Sequence, residues 1–465
     1  MGGFWSSFFN DEESRKALTD ILKCNYSFTQ KLYQAISAEC EGDVCFAPPL
    51  LQHGLASLLA GASEGSFEEL ARLLQTPADR YLTERGYCAL HDHLHGMKDV
   101  TLATALRIYT PDTMRLMKDW YITSHKNYSI CIKSINVSKP HEELRTSIND
   151  WIRSKTKNRI DQLIPDASVN ATLQLLLICA AYFRCDLEHP FSAVYTTNDL
   201  FYVSEEETRT VKLMHQINTY RYAEFDNLQC QAVEIPYKNP NLRFVMLLPF
   251  TVDGLSTFEG HLHEIDFIEL LTNMTKTKVL VSVPSFRLQE GYDICDYLEQ
   301  VGLSTILSHT QRPLTKISQE DPPVTLTQFN HMLFFEFMED ISETASAGLK
   351  KPIADPDTVV FRADHPFIFA VIDISLNMIL VFGRVNCLTR FTTPVFQKFA
   401  LDQLEEQKQQ YLEDQVQLTA DQEVSGDAAI ASVSETESEI EIEDGENGNC
   451  SSQVRFHSKL VTSSE

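Results

Sequence analysis

No run of 18 apolar residues occurs in this 465-residue chain, so no membrane-spanning helix is expected. Positive charge is scarce. The 39 Lys and Arg face 65 Asp and Glu, a net charge of −26, and the basic surface that general nucleic-acid binding needs is therefore not expected. Cys-x-x-Cys pairs are missing although the chain has eleven cysteines. Their odd number and irregular spacing read as mostly buried free thiols and lean toward a reducing compartment. The first residues, from Met1 to Glu13, have neither a basic start nor a long apolar stretch and do not read as a signal peptide, which favours a cytoplasmic protein. The six Asn-x-Ser/Thr sequons, at Asn25, Asn127, Asn136, Asn170, Asn273 and Asn449, matter only in a secreted chain.

What is present is a globular composition. Hydrophobic residues make up 43% of the chain, enough at this length for one large core or two ordinary ones. Charge is unevenly spread. Residues 401–465 hold sixteen acidic and three basic residues (Lys408, Arg455, Lys459), half of the net charge, so an acidic tail is expected. Residues 391–419 are Gln- and Glu-rich, with Leu404, Tyr411 and Leu418 seven apart; they predict a helical extension without establishing a coiled coil. Residues 420–465 are Ser- and Glu-rich and predict disorder. Ser434 and Ser438 leave phosphorylation open beside a plain solubilising role.

In the body, Leu18, Ile21, Leu22, Phe28, Leu32 and Ile36 follow a helical period and predict one helix over 16–36. A short strand with a Pro stop is expected over 43–51, then a helical run to Ala60. The spacing predicts strands over 101–109 and 129–137 and an amphipathic helix over 140–159. Residues 173–183 are almost wholly apolar and read as a central strand buried on both faces. Gly61-x-Ser63-x-Gly65 has the spacing of a nucleophile elbow, which needs a strand before it and a helix after it. Residues 55–60 read as helix, so two helices joined by a Gly-rich turn are expected, with Ser66 as cap and Glu69 completing a capping box; a hydrolase using Ser63 is the competing reading. His91, His93 and His95 alternate on a helix predicted over 84–95. Alternate helical positions point about 200° apart and do not converge on one metal, so a solvated face is expected.

Residues 332–338 form an apolar run that predicts a buried strand, and 359–369 predict a second buried strand region. Between them, 339–348 hold small residues whose alternate side chains suit insertion in a sheet. Phe361, Ala363, Asp364, Pro366, Phe367 and Phe369 follow at fixed spacing. This arrangement resembles the serpin family, in which a strand ends in an acidic hinge, an exposed reactive-centre loop follows, and the chain re-enters the body through Phe-x-Ala-Asp-x-Pro-Phe-x-Phe. Ala180, Tyr182, Phe183 and Arg184, then Glu234-Ile235-Pro236-Tyr237, residues 281–286 and Gly383-Arg384-Val385 are similar to further serpin segments, and the resemblance spans roughly 14–388. It implies an α+β serpin fold, about nine helices around three β-sheets. The serpin domain is expected over 14–390, after a lead of 1–13. The implied function is a monomeric protease inhibitor acting as a suicide substrate on a serine or cysteine protease, with no catalytic residues, cofactor or metal. A non-inhibitory serpin-fold binding protein or chaperone is the alternative. The family is mostly extracellular, so the compartment stays open.

The resemblance assigns the hinge to Glu339, Asp340, Ile341, Ser342, Glu343, Thr344, Ala345, Ser346 and Ala347. Ile341 stands where the family has Gly. From Glu339 to Phe361 there are 22 steps, about two or three fewer than in the family, or ~7–10 Å of reach. The candidate scissile region is Lys350, Lys351, Pro352, Ile353, Ala354 and Asp355. Counting from the hinge puts Asp355 before the cut, whereas counting from downstream puts Pro352 or Ile353 there. Lys350 and Lys351 suit a trypsin-like protease, with Pro352 disfavouring a cut after Lys351. His331 matches the family's buried His beneath the sheet, with Ala47, Leu50 and Cys179 in place of its usual polar partners. This group is expected to govern sheet opening.

Overall fold

The computed structural model describes residues 12–77, 79–164, 169, 172–308, 310–318, 323–339 and 354–388. The chain divides into residues 1–404 and 405–465, and all described residues belong to the first unit. The expected helical extension and acidic tail lie outside the described residues, as do residues 340–353 of the hinge and scissile region.

Two helices, α1 (Glu12–Leu22) and α2 (Asn25–Glu39), stand where the apolar period predicts one. The break precedes Asn25, whose buried side chain turns inward. Its Nδ2 donates to Gln52 Oε1 (3.1 Å) and to the Ile379 carbonyl (3.3 Å), and its Oδ1 accepts from the Ile379 N–H (2.7 Å). Asn25 is 0% exposed, so this sequon is inaccessible in the folded chain. β1 (Val44–Phe46) leads into α3 (Pro48–Leu59), whose two prolines occupy the first turn, where a missing N–H breaks no helical bond. Ser63 sits at the N-cap of α4 (Glu64–Leu73), not Ser66. Glu69 makes no capping box because it finds two backbone donors elsewhere, the N–H groups of Ser304 (3.1 Å) and Thr305 (2.8 Å).

α5 (Arg80–Gly96) starts at Asp79, whose carboxylate accepts from the Tyr81 N–H. β2 (Val100–Pro111), α6 (Lys118–Asn127), β3 (Cys131–Ile135) and α7 (His141–Lys155) follow. α7 stops short of the predicted 159 because Lys157 and Asn158 take φ of 53° and 58°, left-handed conformations that end a helix. Then come β4 (Leu176–Cys185), β5 (Thr197–Tyr202), β6 (Thr208–Phe225), β7 (Cys230–Pro236), β8 (Leu242–Pro249), α8 (Leu255–His261), α9 (Phe267–Asn273), β9 (Thr275–Pro284), β10 (Phe286–Asp293), α10 (Cys295–Leu298), β11 (Gln328–Phe337), β12 (Val359–Arg362), β13 (Phe367–Asp373) and β14 (Met378–Val385). The α+β class is as expected, and nine of these helices have seven residues or more.

The strands form two ladders. One has nine strands in the order β1-β14-β13-β8-β7-β6-β9-β12, with β5 also on β6. Two of the three expected sheets merge in it because β6 is continuous, pairing β5 at its start, β9 along its middle and β7 at its end. The other has five strands in the order β10-β11-β4-β2-β3.

β4 is covered on both faces, as its composition predicts. Leu177, Cys179, Ala181 and Phe183 pack into the main core under the sheet, whereas Leu176, Ile178, Ala180 and Tyr182 share the second core with Ile148 and Ile152 of α7. This strict alternation is the period of two of a strand between two apolar layers. β11 does the same: Phe329, Leu333, Phe335 and Phe337 face the main core, and Met332 and Phe334 face α7.

Replacing Asn25 by Ala would leave the Ile379 amide and carbonyl buried and unpaired, at a cost of about 1–3 kcal/mol. Urea unfolding of Asn25→Ala against the wild type measures this; an unchanged midpoint would show that the clasp between α2 and β14 carries no weight.

Candidate functional site

The site grows from one seam. β11 and β4 run parallel and pair directly from Gln328↔Leu176 to Glu336↔Arg184, nine residue pairs. The other neighbours of both strands, β10 and β2, are antiparallel to them. At the middle of the seam His331 lies opposite Cys179. His331 Nε2 accepts the Ala47 N–H (3.1 Å), so the ring carries its proton on Nδ1 and donates it to the Cys179 carbonyl (2.8 Å). The Cys179 thiol donates to the Leu50 carbonyl (3.2 Å). The structure thus brings together all four residues expected to govern sheet opening, His331, Ala47, Leu50 and Cys179. They clip both seam strands to the start of α3. Burial pushes the His331 pKa down to about 4 and the Cys179 thiol well up. Gly54 lets α3 approach this closely, since a Cβ there would meet Leu177, Phe329 and Cys179 side-chain atoms at 3.1–3.3 Å.

A second clip lies at the top of the seam, where sequence reasoning saw only an apolar run. The Glu336 carboxylate is buried on the α7 face. It accepts from the Tyr182 hydroxyl (2.6 Å), and Arg287 Nε of β10 stands 3.0 Å from Oε1. Three strands meet on this one acid. A lone Glu inside the run 332–338 was the available signal.

The two ends of the intervening segment are tied down separately. Glu339, just past β11, accepts from the Ser285 hydroxyl (2.5 Å). Asp355 pairs with Lys278 of β9 and with the Thr358 hydroxyl, and its carbonyl accepts the Thr358 N–H (3.0 Å). These bonds hold its carboxyl below the usual range. Ala354 directly precedes this turn. β12 then pairs parallel with β9, and Phe361, Ala363, Phe367 and Phe369 are fully buried. Arg362 bridges Asp199 (2.8 Å) and Asp364 (2.5 Å). Phe369 stacks on Phe335 with centroids 5.0 Å apart, joining the two ladders beneath the seam.

The family model Serpin (serine protease inhibitor) matches residues 23–388. The chain belongs to the serpin family. Human Serpin B9 is 29% identical to this serpin over 353 residues, covering 74% of this chain and 93% of its own. Human leukocyte elastase inhibitor is 25% identical over 378 residues, covering 79% of this chain and 100% of its own. Among solved structures, uncleaved ovalbumin superposes with a TM-score of 0.71 at 22% identity, covering 80% of this chain and 100% of its own. Maspin superposes with a TM-score of 0.69 at 24% identity, covering 80% of this chain and 99% of its own. These likenesses carry the fold. The match includes the segment between Glu339 and Phe361.

The competing hydrolase site does not form. Ser63 follows helix α3 rather than a strand, and among the described residues its hydroxyl bonds to the Ser66 hydroxyl, at 3.5 Å. The histidines of α5 are less solvated than expected. His93 pairs with buried Asp373 (2.7 Å), and the His91 and His95 rings pack with centroids 4.1 Å apart.

The His331 clip gives a pH dependence. An unfolded His binds a proton near pH 6.5, whereas folded His331 does so only near pH 4. Between those values the unfolded chain binds more protons, so stability is lost as pH falls through the window, by up to roughly 3 kcal/mol. Denaturant unfolding at pH 7 and pH 4.5 checks this: the loss is expected to be smaller in His331→Asn. His53 and His91, which burial also depresses, to about 3 and about 4, keep part of the slope in both proteins. An identical loss in both would remove His331 from the account.

Proposed function

We propose that this serpin inhibits proteases as a suicide substrate, acting as a monomer. A protease attacks the segment between Glu339 and Phe361 and forms an acyl-enzyme. The freed end then enters the five-stranded sheet and carries the enzyme with it. The observation that supports this most is the seam. A chain leaving the end of β11 and doubling back must run antiparallel to β11, and β10 already occupies the far edge. The place left is between β11 and β4. Entry there replaces one parallel pairing, with its slanted bonds, by two antiparallel ones.

Asp355 is a poor cleavage site on this reading. It is held in a hydrogen-bonded turn at the loop base, whereas a protease cleft grips extended chain. The Lys350–Lys351 bond suits a Lys-directed serine protease. A cut there leaves residues 342–350, nine in number, to match the nine residue pairs of the seam. The shorter loop is then still long enough to fill it. The ten described cysteines are all free, which fits a reducing compartment.

Ile341 favours a second reading, in which the loop does not insert and the protein binds a partner instead. A β-branched residue stiffens the backbone where the chain must bend. Mixing with trypsin and resolving the products on a denaturing gel separates the two. Inhibition predicts a covalent complex that survives denaturation. It forms at least about 10-fold more slowly with Lys350→Ala, a loss on the order of 1.4 kcal/mol of transition-state stabilisation, is retained with Asp355→Ala, and forms in larger yield with Ile341→Gly. Cleavage with no complex in either the wild type or Ile341→Gly would favour the binding reading.

A further inference from the structure

The two polar clips on the seam differ in where they stand and in what they hold. His331 lies mid-seam, whereas Glu336↔Arg184 is the last of the nine pairs, at the end of β11 from which the chain runs on to Glu339. A strand tied to that end and entering between β11 and β4 must part this pair first. The clip at Glu336 therefore stands at the point of entry.

Its contacts are of two kinds. Arg287 of β10 is the direct antiparallel neighbour of Glu336, and its Nε stands 3.0 Å from Oε1, close but without the alignment of a hydrogen bond. β10 and β11 stay paired when the seam opens, so this contact is kept. The Tyr182 hydroxyl belongs to β4 and crosses the seam to donate to Oε2, at 2.6 Å. The other cation on the β4 side, Arg184, comes only to 4.0 Å of the same oxygen. A seated strand moves β4 away from β11 by one more strand spacing, about 5 Å, which takes the Tyr182 hydroxyl out of bonding range. A bond made only in the closed seam stabilises that state alone and biases the equilibrium against opening. Burial strengthens the bias, because Glu336 is 3% exposed and the bond is to a charged acceptor. The Tyr182 ring has packing of its own, stacked on Phe334 with centroids 5.6 Å apart and covered by the Arg159 guanidinium at 5.3 Å.

We propose that the Tyr182–Glu336 bond is a latch that sets the rate at which the seam admits a strand, with both residues acting as positioning residues for loop entry. This rests on the seam being the place of entry. Entry competes with hydrolysis of the acyl-enzyme and release of the cut loop. The strength of the latch therefore sets the share of protease that is trapped rather than released.

The test needs no protease. A synthetic peptide with the sequence of residues 342–350 is incubated with the full-length protein, and its seating is timed by the growth of a higher-melting population. Seating is expected to be at least about 10-fold faster in Tyr182→Phe, which keeps the ring and loses one buried hydrogen bond to a charged group. Arg287→Gln alters the contact that does not cross the seam. It should lower the melting temperature of the free protein and leave the seating rate unchanged. Glu336→Gln keeps the shape and weakens the same crossing bond, so it should also speed seating, and it decides the matter if Tyr182→Phe does not fold. Equal rates in Tyr182→Phe, Glu336→Gln and wild type, an equal acceleration in Arg287→Gln, or no seating in any of them would overturn the latch. Accelerated seating in a protein that forms no covalent complex with trypsin would uphold the latch and count against inhibition alone.

Discussion

The parallel pairing of β11 with β4 is the constraint on which the rest of this serpin depends. Both strands are buried on both faces, so their apolar side chains alternate between the main core and the layer under α7. Hydrophobic burial holds such a pair in place without discriminating strongly between one arrangement of strands and another. What marks this arrangement is the set of polar clips along the seam. His331 ties it to α3 through Ala47 and Cys179, and Glu336 gathers Tyr182 and Arg287 at its upper end. Opening the seam means breaking the two bonds that cross it, His331 to the Cys179 carbonyl and Tyr182 to Glu336, in a low-dielectric interior where each lost partner is costly. Closing it around a new strand restores backbone pairing on both sides.

The anchoring of the loop follows from the same logic. One end leaves the seam strand and is tied by Glu339 to Ser285. The other is pinned by Asp355 to Lys278 and by the Phe361–Phe369 signature to the second ladder. The pinned end stays with the body, and the end attached to β11 is the one with a place to go. A single cut in between therefore has a directional consequence set by topology.

Much of this was legible in the sequence. The apolar runs at 173–183 and 332–338, and the six signature positions from Phe361, lead to the serpin fold, because a strand buried on both faces leaves an unmistakable composition. Glu339 and the residues around His331 were legible by resemblance; His331, Ala47, Leu50 and Cys179 meet in space, and Glu339 lies apart from them against Ser285. What was hidden were contacts between residues distant in sequence. A helix that the local pattern favours is interrupted just before Asn25, whose partner Ile379 lies 354 residues away. Glu69 abandons its capping box for a loop 235 residues on. Glu336 looked like a lone acid in an apolar run until Arg287 and Tyr182 were placed beside it. Local pattern reports what a segment prefers, and these three positions answer to partners the pattern does not contain.

The central claim is that the seam is a place waiting for a strand. The most direct measurement is the melting temperature of the protein before and after a single cut within residues 340–353. The account predicts a rise on the order of 10 °C or more, the scale of several kcal/mol for a domain of this size, as the freed segment pairs with both β11 and β4. An unchanged or lower melting temperature after complete cleavage would contradict it.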